Sequence, residues 1–206
     1  MELLDYEAIQ RSLASTDDDS LFIDPLLDAS QVGAVTIDFR LGYDFLVSIL
    51  TRKPAIELSP RLNEQKRSIT SYFQETRREV GERFVLYPNQ VVISTTLEYL
   101  SLPSNMYADI LSRSSFTRLG IHINTMIQPG FRGCVPLELF NHGNTPVELV
   151  VGCRLCQARF FKADTSVRYL SKGGARKYHG DVRPTVSRAD LDDDLARLIK
   201  SVGSNI

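Results

Sequence analysis

The sequence predicts a mainly β fold, an antiparallel barrel or sandwich with a short helix at each end, on three observations. Short runs alternate apolar and polar residues with a period of two, and Gly, Pro and Asn clusters separate them at close intervals. Apolar residues at helical spacing are confined to the two ends.

In chain order, Leu3, Leu4, Ile9 and Leu13 predict a helix within 3–14, with Asp5 as its N-cap. Asp17-Asp18-Asp19-Ser20 breaks it into a turn. Val35, Ile37, Phe39 and Leu41 alternate with Thr36, Asp38 and Arg40, which predicts a half-buried strand. Gly42 punctuates it, and Phe45, Val47 and Ile49 continue as a second strand. Residues 59–82 are rich in charge and poor in apolar period, and read as a solvated loop or exposed helix. Strand character returns at 84–86, 90–96, 135–140, 146–150 and 155–161, with turns at Pro88-Asn89, Pro129-Gly130 and Asn141-His142-Gly143-Asn144. Ser187-Arg188-Ala189-Asp190 resembles a capping box, followed by a stripe of Leu191, Leu195, Leu198 and Ile199. Asp192–Asp194 near its start and Arg197 and Lys200 near its end suit the helix dipole, and Gly203 can stop it. The chain thus divides into a β domain with its tail, 1–186, and a helical appendage, 187–206.

Composition narrows the function classes. A chain of 206 residues that is 43% hydrophobic can build one substantial core. A net charge of −1 offers no basic excess for a nucleic-acid backbone, although one triphosphate needs only a few local cations. No basic-then-apolar leader opens the sequence, no apolar run approaches a membrane span, and three cysteines do not make a disulfide framework. These features read as a cytoplasmic protein that engages neither nucleic acid nor membrane.

Chemistry-bearing residues concentrate between Ser112 and Phe160. Ser112 to Gly120 holds Arg113, Ser114, Ser115, Thr117 and Arg118 in close succession, and Glu138 stands between Leu137 and Leu139 on an expected strand. Such a carboxylate either faces outward or is held in a pocket for proton transfer, and alternation alone favours the outward reading. Nucleobase deaminases that use zinc carry H-x-E and P-C-x-x-C patterns. No histidine here is followed two residues on by Glu, and the Cys153-x-x-Cys156 pair follows Gly152 rather than Pro. On a strand these two cysteines face opposite sides, which favours a structural role for them, as for Cys134.

Arg113-Ser114-Ser115-x-x-Arg118-Leu119-Gly120, Pro129-Gly130-Phe131-x-Gly133, Leu137-Glu138-Leu139 and Gly152-x-x-x-x-Gln157 together resemble the dCTP deaminase family of the dCTP deaminase/trimeric dUTPase superfamily. Val35 to Gly42, Ser94 to Glu98 with Leu102-Pro103, and Lys177 to Asp181 with Pro184-Thr185-x-Ser187-Arg188 resemble its early strand, central strand and nucleotide-covering tail. The resemblance implies a distorted, dUTPase-like antiparallel β-barrel and a homotrimer with active sites between subunits. It implies zinc-independent hydrolysis of dCTP to dUTP and ammonia, with Mg2+ carried on the triphosphate. By the same resemblance Glu138 shuttles protons, Ser114 orients the water and Arg118 lies near both. Arg113, Ser115 and Lys177 reach the phosphates, Gln157 and Tyr169 join the nucleotide-binding set, and Asn124 and Thr125 occupy the hairpin that reads the base edge.

Three departures stand out against that family pattern. The stretch from Ile121 to Gln128 is shorter than usual; Gln128 replaces an Asp that activates water in dUTPases; and Asp181 replaces a phosphate-donating Gln. Gln128 argues against a dUTPase and against a dUMP-forming deaminase. Asp181 would repel phosphates unless Mg2+ or an arginine such as Arg183 intervened, and with the short hairpin it leaves open a non-catalytic nucleotide sensor on the same fold.

Overall fold

The computed structural model describes residues 2–52, 55–56, 69–164, 166, 178–189 and 194–203. Strands β1 (Glu2–Leu3), β3 (Ile37–Arg40), β8 (Met106–Ser112), β10 (Asn124–Ile127) and β13 (Arg154–Lys162) form one antiparallel sheet, in the order β1-β13-β8-β10 with β3 also on β13. A second holds β2 (Phe22–Asp24), β4 (Asp44–Ser48), β5 (Phe73–Arg77), β7 (Val91–Ser101), β9 (Ile121–His122) and β11 (Arg132–Asn141). Its order is β5-β4-β7-β11-β9, with β2 also on β7. β6 (Arg83–Leu86) pairs with β12 (Val147–Val150). The helices are α1 (Tyr6–Ala14), the short α2 (Ser114–Thr117) and α3 (Asp194–Gly203).

Residues opposite one another across antiparallel strands share a face, and the two faces alternate along each strand. In the first sheet the register row Ile110–Ala158–Ile37 is wholly buried, whereas the next row, Asn124–Leu111–Gln157–Asp38, faces outward. In the second, Val92, Leu137 and Leu139 are buried in the core, while Glu138 lies opposite Ile93, which lies opposite Leu46, on the outward face. The inward rows of both sheets belong to one hydrophobic cluster. Burial of those rows fixes the register, because a slip of one residue would exchange the faces.

Most elements lie where the alternation puts them, and the exceptions have physical causes. Asp5 caps α1, its Oδ1 accepting from the Ala8 N–H at 2.9 Å, but Leu3 lies before the helix and pairs with Phe161 on β13. The charged stretch 59–82 contains β5, an edge strand paired to β4; its charge is that of a solvated edge. Strands β8 and β10 escape a reading by alternation because their outward positions include Tyr107, Leu111 and Met126, which blur the polar half of the pattern. α3 is described from Asp194 to Gly203, while Asp190 and Leu191 to Asp193 of the expected capping box and stripe lie outside the described residues; the Ser187 hydroxyl accepts from the Ala189 N–H at 3.3 Å. Leu198 and Val202 on α3 are exposed. No helix among the described residues is long and apolar enough to cross a membrane.

Candidate active site

The serine-arginine turn grows out of β8. Where that strand ends, the Arg113 N–H donates to the Leu155 carbonyl at 3.1 Å, and one turn of helix follows. Phe116 packs against the core, which leaves Ser114, Ser115 and Arg118 exposed. The turn closes at Gly120, whose φ of +87° suits glycine; a Cβ there would meet the Gly143 nitrogen at 2.5 Å. Arg113 is anchored at both terminal nitrogens. Nη1 donates to the Arg154 carbonyl at 3.2 Å and Nη2 lies 3.6 Å from Asp38 Oδ2. Asp38 shares its outward row with Gln157 and Asn124, so Arg113, Gln157 and Asn124 belong to one surface. Thr125 lies in the next row, opposite Ile110, and is half-buried.

Glu138 belongs to the other sheet. Its strand, β11, carries a register shift between Cys134 and Pro136, where proline is tolerated. Thr96 mends the ladder there: its hydroxyl accepts from the Val135 N–H at 2.9 Å and donates to the Glu98 carbonyl at 2.7 Å. The tail, 178–189, crosses the outward face beside this strand. The Gly180 N–H donates to the Arg132 carbonyl at 2.7 Å and the Cys134 N–H to the Asp181 carbonyl at 3.0 Å. Gly133 permits that approach, since a Cβ would lie 2.5 Å from the Asp181 oxygen.

The tail and the sheet enclose a cavity of about 210 Å³ lined by Ile93, Pro136, Glu138, Tyr178, Thr185 and Ser187. Glu138 keeps solvent access at its mouth, yet the surrounding protein crowds it, and burial pushes its carboxyl above the usual carboxylate range. No salt bridge to Glu138 is found among the described residues. The tail holds its own shape: Asp181 Oδ2 accepts from the Thr185 hydroxyl at 3.2 Å and pairs with Arg188 Nη2 at 3.4 Å. The Arg188 N–H donates to the Tyr178 hydroxyl at 3.1 Å, and its guanidinium lies 5.5 Å from that ring. Arg183 turns instead to Asp44, 3.8 Å away, so the cation that offsets Asp181 is Arg188.

The site residues named from the sequence therefore fall on two surfaces within one chain. None of Arg113, Ser114, Ser115 or Arg118 lines the Glu138 cavity. Tyr169 and Lys177 lie outside the described residues. Sequence reasoning gave no task to Asp38, Tyr178, Thr185 or Ser187; the last three stand in the tail motif, but their hydroxyls gain meaning only once the tail is seen against Glu138. The cysteines behave as packing residues. Cys156 is wholly buried and its thiol is pushed up, while burial, and then the Glu98 charge, push Cys134 up to about 11. Burial also raises Cys153.

Comparison with known proteins gives the same frame. Residues 4–163 match the family model described as dCTP deaminase-like. A Methanobrevibacter smithii protein named dCTP deaminase, dUMP-forming, is 35% identical over 183 residues, covering 86% of this chain and 91% of the relative. One from Natronomonas pharaonis named dCTP deaminase is 35% identical over 182 residues, 85% and 90% of the two chains. Among solved structures, the 2'-deoxycytidine 5'-triphosphate deaminase of Agrobacterium tumefaciens superposes with a TM-score of 0.56 at 27% identity. That match covers 77% of this chain and 47% of the longer Agrobacterium chain. With the family model matched over residues 4–163 and relatives 35% identical over more than four-fifths of its length, this chain belongs to the dCTP deaminase-like family.

Proposed function

We propose that this protein hydrolytically deaminates dCTP, releasing ammonia, with Glu138 as the group that moves protons. The observation that carries the reading is Glu138 itself: a carboxylate with no fixed cation beside it among the described residues, in a cavity whose other polar groups are hydroxyls, with its pKa raised by burial. Deamination of cytosine needs water to add at C4 while N3 gains a proton and the amine departs. The ionised Glu138 takes a proton from water as its oxygen bonds to C4 and passes that proton to N3. The second water proton then reaches the amine as the C4–N bond breaks, leaving a uracil ring and ammonia. A carboxyl whose pKa lies nearer the working pH performs both transfers better than an ordinary one. Ser114 and Arg118 orient the water; Arg113, Ser115 and Lys177 hold the phosphates, with Gln157, Asn124, Thr125 and Tyr169 completing the nucleotide contacts. Mg2+ arrives as part of the nucleotide, neutralising charge between phosphate oxygens, and no zinc takes part. Glu138 and the serine-arginine turn occupy different sheets and the turn does not line the Glu138 cavity, which supports a site completed between two subunits, as in the homotrimer that the family resemblance implies.

The internal pairing of Asp181 with Arg188 removes the main objection to catalysis raised by that residue, because the tail carries no bare carboxylate there. A second reading concerns the product. Several relatives are named dUMP-forming, whereas Gln128 here cannot serve as a base, which favours dUTP. Incubation of the purified protein with dCTP and Mg2+, followed by ammonia assay and separation of nucleotides, tests both. Ammonia with dUTP is the expected result. Ammonia with dUMP and pyrophosphate transfers the reading to the dUMP-forming type, and binding without ammonia to the sensor.

A further inference from the structure

Asp38 on β3 is a largely buried carboxylate, 14% exposed, shared by two arginines: Arg113 Nη2 at 3.6 Å and Arg154 Nη1 at 3.8 Å. The two partners differ. Arg154 is tied elsewhere, its Nη2 to Asp28 at 3.1 Å and to the Ser30 hydroxyl at 2.9 Å, and its Nη1 to the Ser30 carbonyl at 3.2 Å. Among the described residues, Asp38 is the one carboxylate that reaches Arg113. A buried carboxylate needs a compensating charge, and the two guanidiniums share that task, Arg113 being the nearer. For Arg113 in turn, Asp38 and the Arg154 carbonyl hold the two terminal nitrogens and so fix the guanidinium plane. Nη1 is hydrogen-bonded and Nη2 is held by the Asp38 charge, which leaves donors of the fork for a ligand. An arginine held in place before its anion arrives loses less freedom on binding than a loose one.

We infer that Asp38 is a positioning residue that orients Arg113 toward the triphosphate; this rests on the reading of Arg113 as a phosphate ligand. Its effect is therefore confined to nucleotides that carry phosphates. Asp38→Asn should raise the Kd for dCTP by up to about tenfold, the cost of immobilising one rotamer-rich side chain on binding, and leave deoxycytidine binding and kcat within about twofold. Asp109→Asn, which breaks a pair with Arg159 on the same outward face (3.4 Å), should change neither affinity. In a double-mutant cycle Asp38→Asn should have little further effect once Arg113 is Lys, because both changes act through one guanidinium. Equal weakening of dCTP and deoxycytidine, tighter dCTP binding, no change, or additive effects with Arg113→Lys each overturn the inference while leaving the deaminase reading intact. A wild type that binds neither dCTP nor tripolyphosphate overturns both. Should Asp38→Asn lose its thermal transition, Asp38→Glu goes through the same cycle and is judged by the same outcomes.

Discussion

On the outward face of the β13 sheet, charge is dense and paired: Arg113 and Arg154 on Asp38, Arg154 on Asp28, Arg159 on Asp109. The outward face of the β11 sheet around Glu138 is nearly the opposite, a carboxylate among Ile93, Pro136 and three hydroxyl-bearing side chains beneath the chain's own tail. The difference suits the two ends of the nucleotide in the function proposed above. A triphosphate is recognised by forked cations that are always charged and already oriented. A base undergoing proton transfer needs a carboxyl whose pKa has been moved, and burial without a nearby cation moves it upward.

The sharpest way to break this comparison is to damage each face in a different subunit. Glu138→Gln should cut ammonia release by about 10³-fold or more, since general acid-base groups contribute 10²–10⁴, and leave dCTP binding in place. Arg113→Ala should weaken dCTP binding instead. If a complete site takes one face from each of two subunits, refolding equal amounts of the two variants together restores wild-type pairs at about a quarter of the sites. Activity of the mixture should therefore rise far above that of either variant alone. A mixture no more active than the mean of its components would place both faces within one chain's own site and end the two-subunit reading.

How much of this was legible beforehand depended on the physical signal. The rows of β3, β11 and β13 could be read because one face is wholly buried, so that Ile37, Phe39 and Leu41 or Leu137 and Leu139 stand out against polar neighbours. Strand β5 could not, since an edge strand at Phe73–Arg77 carries the composition of a loop. Glu138 is singled out by its place between two leucines within a motif. Its partners Tyr178, Thr185 and Ser187 come from a segment forty residues or more downstream, and no local pattern announces that it folds back over β11. The pairing of Asp181 with Arg188 likewise depends on the path of the tail, which is why the sequence points to an arginine such as Arg183 instead.

A finer test concerns the raised pKa of Glu138. In the proposed mechanism the ionised form accepts the proton from water, so kcat should rise as pH increases through that pKa. The acid limb of the kcat profile should then lie above the range of an ordinary carboxylate when measured from about pH 4 to pH 8. Asp181→Asn, which loosens the tail, should move the limb back toward the ordinary range by removing protein that crowds the already exposed Glu138. An acid limb already at ordinary carboxylate pH in the wild type would remove the electrostatic contrast between the faces, even if the deaminase activity stood.

The smallest expected effect lies in the core between the faces. Glu98 is fully buried, accepting from the Arg40 N–H at 2.8 Å and from Gln31 Nε2 at 3.2 Å, with Arg40 Nη1 at 3.4 Å. Burial nonetheless outweighs these bonds and pushes its pKa up. A native carboxyl with a raised pKa holds its proton where the unfolded chain has lost it, so its contribution to stability is complete below the ordinary carboxylate pKa and is lost as pH rises through the raised one. Glu98→Gln cannot titrate. The melting temperature of the wild type relative to Glu98→Gln should therefore decline from about pH 4 to pH 7, by on the order of a few degrees. Acid loss of other carboxylate interactions acts on both proteins and cancels in the difference. A difference that instead grows with pH would mean that Arg40 and Gln31 more than repay the desolvation of Glu98, and that the ionised pair stabilises the junction between β3 and β7.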